Sequence, residues 1–445
     1  MTRYNIHRLQ FHHLVLLILL ASVHLLFTSF NTLPKNDINQ HQIITDWYDL
    51  YLDLESKEPK AYPPVSGERL SQLGIAGYLT YKGVVEKNKE DEMLFFNVYN
   101  AVFCQLLKEI YHEKVPHSHR KIEELKNKNI RLIHTDTTDD VKVKQYAEIV
   151  LGSLDSFKKR LHNKVEICFE NPTLLENDLQ YQKSEKILPE WGVKPTLIIS
   201  RENFRLEAPY SESISKSEAI KKDALSVYSV TSKLSKEEKW IAEFWSDDVR
   251  GLTFSPLSRW YSVANQILKF EKMNLKDMIH IYFKLGVGLN DAAIMTWYYK
   301  YHYKLLRPSD YITKNLDQNW QPFHSDPNFP SYPSGHAVLG AVASSILETY
   351  VGEDYNFTDK SHENRKEFLS KKRSFPSLAA MAKENAWSRI LLGVHFYKDC
   401  DAGLKYGQKI GKYVSKNAET VFLAKFFDLN SNLNEMALLE SIYDK

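Results

Sequence analysis

Three cations and two histidines in the second half of the chain stand at spacings that suit an anion. Lys300 and Arg307 lie in W-Y-Y-K-Y-H-Y-K-L-L-R-P, residues 297–308. Seven residues on a helix are two turns, so both side chains would leave the same face. Pro308 would stop that helix just after. Two inward cations need an anion between them; at a helix end they can also sit in solvent against the macrodipole. The second cluster is P-S-Y-P-S-G-H-A, residues 330–337, with Ser334 placed as N-cap of a helix through Ala337 to Leu347. A helix start presents free N–H groups and the positive dipole end, an anion site. Gly335 lets a ligand approach the backbone. His336 then stands at the rim, placed for proton transfer. The third cluster is S-R-I-L-L-G-V-H-F-Y-K-D, residues 388–399. Arg389 brings forked donors suited to oxyanions. His395 follows a break offered by Gly393. Asp399 is four residues on, the helical spacing for a carboxylate to hold imidazole Nδ1–H and turn Nε2 outward as nucleophile or ligand. Jointly the clusters supply what a tetrahedral oxyanion requires: neutralising charge, backbone donors, an apical imidazole and an opposing acid–base.

Helices are the elements that must position these residues. Ile43, Trp47, Leu50, Tyr51 and Leu54 repeat at three and four, one apolar stripe. Leu70, Leu73, Ala76 and Tyr81 continue the pattern after a start at Pro63-Pro64, and residues 93–112 and 140–161 read as two more helices. The charged run Glu86 to Glu92 reads as a solvated loop. Residues 165–212, with Pro172, Pro189, Pro195 and Pro209, read as a long connection across a surface. Ser235 with Glu238 forms a capping box, and helices are expected over 258–271, 275–306, 335–350, 377–392 and 398–415. Few segments alternate with period two. The expected fold is all-α, two packed helical bundles, one over 40–230 and one over 231–430, with the boundary in 165–235. His302 faces away from Lys300 and reads as packing; Lys304 defaults to solvent.

Composition bounds the rest. The chain has 445 residues, 43% hydrophobic and 26% charged, which fits a globular protein and not disorder. Only 16 Gly and 16 Pro argue against a turn-rich β fold. A net charge of +2 gives no sign of a nucleic-acid partner. A mean hydropathy of −0.42 excludes a polytopic membrane protein. Cys104, Cys168 and Cys400 lie far apart and form no disulfide or zinc pattern, so they read as buried thiols. Residues 1–30 read as a signal peptide or an N-terminal anchor: Arg3, His7 and Arg8, then an apolar run from Leu14 to Phe27. Export to the periplasm or medium follows from it, with any membrane contact confined to that segment. The many aromatics, most of them expected in the core, are compatible with a homodimer.

The string K-x6-R-P, P-S-G-H, S-R-x5-H-x3-D resembles the signature of the superfamily that joins type 2 phosphatidic acid phosphatases, bacterial class A acid phosphatases and vanadium-dependent haloperoxidases. The surroundings are most similar to the soluble bacterial haloperoxidase-like branch: Trp297 with Lys300 three on, K-Y-H-Y-K-L-L-R-P, F-P-S-Y-P-S-G-H-A and residues 236–255. The similarity covers about 230–420 well and 40–230 weakly. It implies two four-helix bundles and a vanadate cofactor held by Lys300, Arg307, Ser334, Gly335 N–H and Arg389, with His395 Nε2 as the ligand to the metal. It implies His336 as the proton-transfer group for hydrogen peroxide, Trp297 and Phe329 on the halide side, and iodide or bromide as substrate. A phosphatase would use the same atoms on phosphate: His395 attacks phosphorus, His336 protonates the leaving group of a small phosphomonoester, and Asp399 holds His395. Tyr298 departs from the haloperoxidase branch, where an acidic residue often follows the tryptophan.

Overall fold

The computed structural model describes residues 41–58, 62–90, 92–112, 114–133, 140–163, 175, 177–210, 216–247, 249, 252–363 and 372–429. The leader expected at 1–30 and Cys168 lie outside them. The expected stripe forms α1 (Gln42–Ser56), which buries Ile43, Trp47, Tyr51 and Leu54. Pro63 opens α2 (Pro63–Tyr81), where its missing N–H costs nothing. The Glu86–Glu92 run is not all loop. A π-helical turn, Lys82–Lys87, prolongs α2, helped by an i,i+4 pair of Lys82 with Glu86, and α3 (Glu92–Tyr111) already starts at Glu92.

Helix α4 (Ser118–Ile133) follows, then α5 (Asp140–His162). After the connector come α6 (Lys216–Thr231), α7 (Lys236–Phe244) behind the Ser235–Glu238 capping box, and α8 (Pro256–Glu271). The 29-residue α9 (Leu275–Tyr303) is the spine of the fold, buried along most of its length and packed on α2 as well as on the C-terminal helices. Next are α10 (Pro308–Asn315) and α11 (Gly335–Val351). A short antiparallel pair, β1 (Phe357–Asp359) with β2 (Arg373–Phe375), precedes α12 (Leu378–Leu391) and α13 (Tyr397–Leu429). The fold is all-α, with one group of helices around α2–α3 and another formed by α11, α12 and α13 against α9. Among the described residues no helix is long and apolar enough to cross a membrane.

Two close approaches set the geometry of the site. Gly403, Gly407 and Gly411 lie four apart on α13 and face α11. A Cβ at Gly411 would stand 2.7 Å from Val342 O, and one at Gly403 would stand 3.0 Å from Ser334 O. Only bare backbone lets α13 come this near to the start of α11.

The connector is not a surface strap. Leu197, Ile198 and Ile199 are buried. Their N–H groups donate to the fully buried Asp291 carboxylate on α9, at 2.7, 2.6 and 3.1 Å. One acidic side chain thus satisfies three backbone donors that burial would otherwise orphan. Burial pushes that carboxyl up to about 6 against the stabilising bonds.

Candidate active site

Lys300 is on the last turn of α9 and Arg307 is not on that helix. Lys304 takes a left-handed conformation and caps α9. Residues 304–306 then pair with the connector: Tyr181 N donates to Lys304 O (2.7 Å) and Leu306 N to Leu179 O (3.1 Å). Arg307 is the N-cap of α10, so Pro308 begins a helix instead of ending one. The two cations do converge, by a chain reversal and not by helical phase. Lys304 is exposed, and His302 stacks on Tyr298 with centroids 5.3 Å apart, as packing.

Both cations are fully buried. Lys300 Nζ donates to the carbonyls of Pro330, Ser331 and Pro333, at 2.9, 2.9 and 2.7 Å. Arg307 donates Nε to Phe329 O (3.0 Å), Nη1 to Val394 O (2.6 Å) and Nη2 to Phe329 O (3.0 Å). Arg389, on α12, donates Nη1 to Trp245 O (3.1 Å) and reaches the cavity. Burial, then the neighbouring Arg307 charge, pulls Lys300 far below the usual ammonium range. This cluster favours an anion electrostatically.

His395 sits just before α13. Its Nδ1 is 3.0 Å from Asp399 Oδ2, the expected i,i+4 pair. Its Nε2 is 3.2 Å from Arg307 Nη1. A guanidinium can only donate, so Nε2 carries the lone pair and Nδ1–H donates to Asp399. Burial, then Arg307, Lys300 and Arg389, pushes the imidazole well below its ordinary range, which keeps that lone pair free of a proton. Burial also pushes the Asp399 carboxyl up, to about 7. Ser331 Oγ and Phe396 N donate to the same Oδ2, the latter at 3.0 Å.

Ser334 is the N-cap of α11 by position, yet its hydroxyl does not bond the helix backbone. Its own N–H donates to Asp399 O (3.1 Å), which ties the helix start to His395's partner. Among the described residues the buried His336 Nε2 has no hydrogen-bond partner, and the buried Ser334 Oγ has none beyond the neighbouring Cys400 thiol. The Asp247 carboxylate stands 3.8 Å away, Oδ2 from His336 Nε2. Burial, then Arg389, holds His336 well below the usual imidazole range. A Cβ on Gly335 would meet only Thr296 Cγ2, at 3.9 Å, so the helix start opens onto space.

That space is a cavity of about 280 Å³. Lys300, Gly335, His336, Arg389 and His395 line it, with Trp297 and Phe329 on one wall. Arg307 stands on the Nε2 side of His395, Asp399 on the Nδ1 side, and the fully buried Ser334 directly precedes the lining residue Gly335. The Trp297 and Phe329 rings are 5.1 Å apart, and Lys300 Nζ and Arg307 Cζ each stand 5.1 Å from the Phe329 centroid. Every residue expected from the three clusters is therefore in this cavity or in direct support of it.

Residues 280–423 match the family described as the VCPO second helical-bundle domain. A bacterial vanadium-dependent iodoperoxidase aligns in three dimensions with a TM-score of 0.67, at 21% identity over 84% of this chain and 96% of that one. A bacterial vanadium-dependent chloroperoxidase aligns in its holo form at TM-score 0.63 and 13% identity, covering 81% of this chain and 92% of that one. Its apo form gives 0.61 at 13%, covering 81% and 94%. The fold is that of the vanadium-dependent haloperoxidases. No curated protein matches the sequence.

On this haloperoxidase fold, two supporting residues escaped the sequence reading. Ser331 braces Asp399, and its hydroxyl also lies 3.3 Å from His395 Nδ1. Its only sequence signal is its place in P-S-Y-P-S-G-H. Asp247, in the S-D-D that follows α7, lies in the cavity wall and stands 3.7 Å from Arg259. A buried carboxylate beside two cationic or imidazole groups cannot be read from local periodicity.

Proposed function

We propose that the chain is a vanadium-dependent haloperoxidase that oxidises a halide, iodide or bromide, with hydrogen peroxide. One observation carries this: an imidazole whose Nε2 is kept unprotonated, with Arg307 beside it, faces a cavity lined by Lys300 and Arg389. The residues fit vanadate. His395 Nε2 would be the ligand to the metal, and Lys300, Arg307 and Arg389 would neutralise its oxygens. Ser334 Oγ and the Gly335 N–H would complete the donor set. Bound there, vanadate would supply a Lewis-acid centre at which peroxide becomes a two-electron oxidant.

The protein's own groups do the rest. Asp399, braced by Ser331 and Phe396 N–H, fixes the tautomer and tilt of His395. His336 is neutral and, among the described residues, has no hydrogen-bond partner at Nε2, so it can take a proton from peroxide and return it to the departing oxygen. Trp297 and Phe329 close the halide side and keep water from that wall. The iodoperoxidase neighbour makes iodide the first halide to assay.

Vanadate-loaded protein is expected to form triiodide from iodide and peroxide, and His395→Ala to lose both this activity and vanadate binding, read by vanadium NMR. Clear hydrolysis of p-nitrophenyl phosphate with no halide oxidation would instead make the chain a phosphatase working through a phosphohistidine.

A further inference from the structure

The cavity is larger than its inorganic guest, and its outer part changes character. Tyr62 and Pro63 enter from the start of α2, Ile187 from the connector, Pro327 from the loop before α11 and Leu339 from α11 itself. With Trp297 and Phe329 these form a mostly apolar vestibule, three of its seven residues aromatic, while Ser246, Asp247 and Ser325 add polar lining elsewhere in the cavity. Polar groups return at the rim, where His324 pairs with Glu243 at 3.0 Å. A tetrahedral oxyanion has four oxygens; at ~30 Å³ each, the share of a water in the liquid, it fills roughly 120 Å³. Of the cavity's 280 Å³, roughly 160 Å³ then remains, close to the ~150 Å³ that holds one benzene ring.

We propose that this vestibule is an acceptor site for a neutral, electron-rich, single-ring arene such as a phenol, so that halogen reaches carbon inside the protein. This rests on the haloperoxidase reading above. The shape and chemistry agree. Trp297 Nε1 donates to Ile187 O (3.3 Å), and Tyr301 Oη donates to the same carbonyl (2.7 Å), so the aromatic wall is braced against the connector. The Phe329 ring neighbours Lys300 and Arg307 as well as Trp297, so an arene against these two rings would lie beside the cations. Flat aromatic walls favour offset or edge contacts with an arene. A phenol has one polar end to leave at the rim. A carboxylate-bearing acceptor would instead be drawn into the cations and compete with the oxyanion.

The stoichiometry balances. The peroxide O–O bond takes two electrons from the halide and, with proton uptake, leaves as water. The carbon–halogen bond forms as the ring C–H bond gives up its proton. In sum, one arene, one halide, one peroxide and one proton give one haloarene and two waters.

The test uses phenol itself and two variants outside the oxyanion shell. Ile187→Trp fills the vestibule while keeping the carbonyl that accepts from Trp297; Tyr62→Ala removes a wall, and the Tyr62 side chain makes no helix cap. Saturation-transfer NMR on the full chain, without vanadate, halide or peroxide, should show phenol binding, weakened about tenfold or more by Ile187→Trp. Triiodide formation without phenol should stay within about twofold of the parent in both variants. With iodide, peroxide and phenol, the loaded enzyme should give an ortho-to-para iodophenol ratio at least about threefold away from that of reagent hypoiodous acid. Both variants should move it toward the reagent value. No phenol binding by the parent protein, or a reagent-like ratio beside normal triiodide formation, overturns the acceptor site and leaves the haloperoxidase reading standing. Phenol binding with no triiodide formation overturns that reading, and the acceptor role with it.

Discussion

Replacing Asp399 with Asn removes one charge beside His395 and leaves the shape almost unchanged. If the Asn oxygen takes the place of Oδ2, it still faces the three donors His395 Nδ1, Ser331 Oγ and Phe396 N. Each bond then passes from a charged to a neutral acceptor, a difference of about 1 kcal/mol per bond. The NH2 group falls where Oδ1 now lies, a buried atom with no hydrogen-bond partner, which costs about 1–3 kcal/mol of stability. The grip on His395 weakens by about 1.4–2.8 kcal/mol, which corresponds to ~10–100-fold in affinity for an oxyanion ligated by Nε2. Ser331→Ala removes only one brace, and its loss should be near ~3–10-fold. Vanadate affinity by vanadium NMR, with circular dichroism to check the fold, gives the ranking parent, Ser331→Ala, Asp399→Asn. Asp399→Asn binding as tightly as the parent would refute the claim that this carboxylate sets the imidazole.

Three further outcomes follow from packing and burial. Asp291→Ala orphans three buried N–H groups and should cost about 3–5 kcal/mol in urea unfolding at neutral pH. The Asp291 carboxyl is raised from 3.8 to about 6 on folding, so the proton-linked part of its contribution is complete below pH ~4 and is lost as pH rises through ~6, while its three backbone bonds remain; Asp291→Asn should remove that slope. Gly407→Leu should lower stability by about 3 kcal/mol, because α13 has no room for a side chain against α11, while Gly152→Ala, in open space on α5, should raise it by about 0.5–1 kcal/mol; urea midpoints of the pair separate packing from propensity.

Much of the site was legible because its residues sit at local signals. Ser334-Gly335-His336 opens a helix, and His395 and Asp399 are one helical turn apart, so caps and period alone place them. The helix core was legible too: the α1 stripe, the Pro63 start and the Ser235 capping box lie where pattern puts them. What was not legible depends on distant partners. Arg307 reads as the end of α9 because W-Y-Y-K-Y-H-Y-K-L-L-R has no breaker before Pro308; the chain turns at Lys304 because residues 179–181 pair with 304–306. The connector reads as surface because its prolines mark irregularity, and irregular backbone is buried only when something satisfies it, here Asp291 from 92 to 94 residues away. Helix α4 escaped notice since only two of its four buried residues, Ser118, Ile122, Asn129 and Ile133, are apolar within a charged segment. The ridge of Gly403, Gly407 and Gly411 was visible as a four-residue repeat, but its meaning needed the facing α11.

The donors of Lys300 and Arg307 already point at the carbonyls of Phe329, Pro330, Ser331, Pro333 and Val394. Four of these five carbonyls, Phe329 to Pro333, belong to the turn into α11, and the fifth, Val394, belongs to the link between α12 and α13. The cavity therefore holds its cations in place by its own backbone, and an oxyanion there would share donors that are already engaged, so the affinity it reports should fall short of what three bare charges would give.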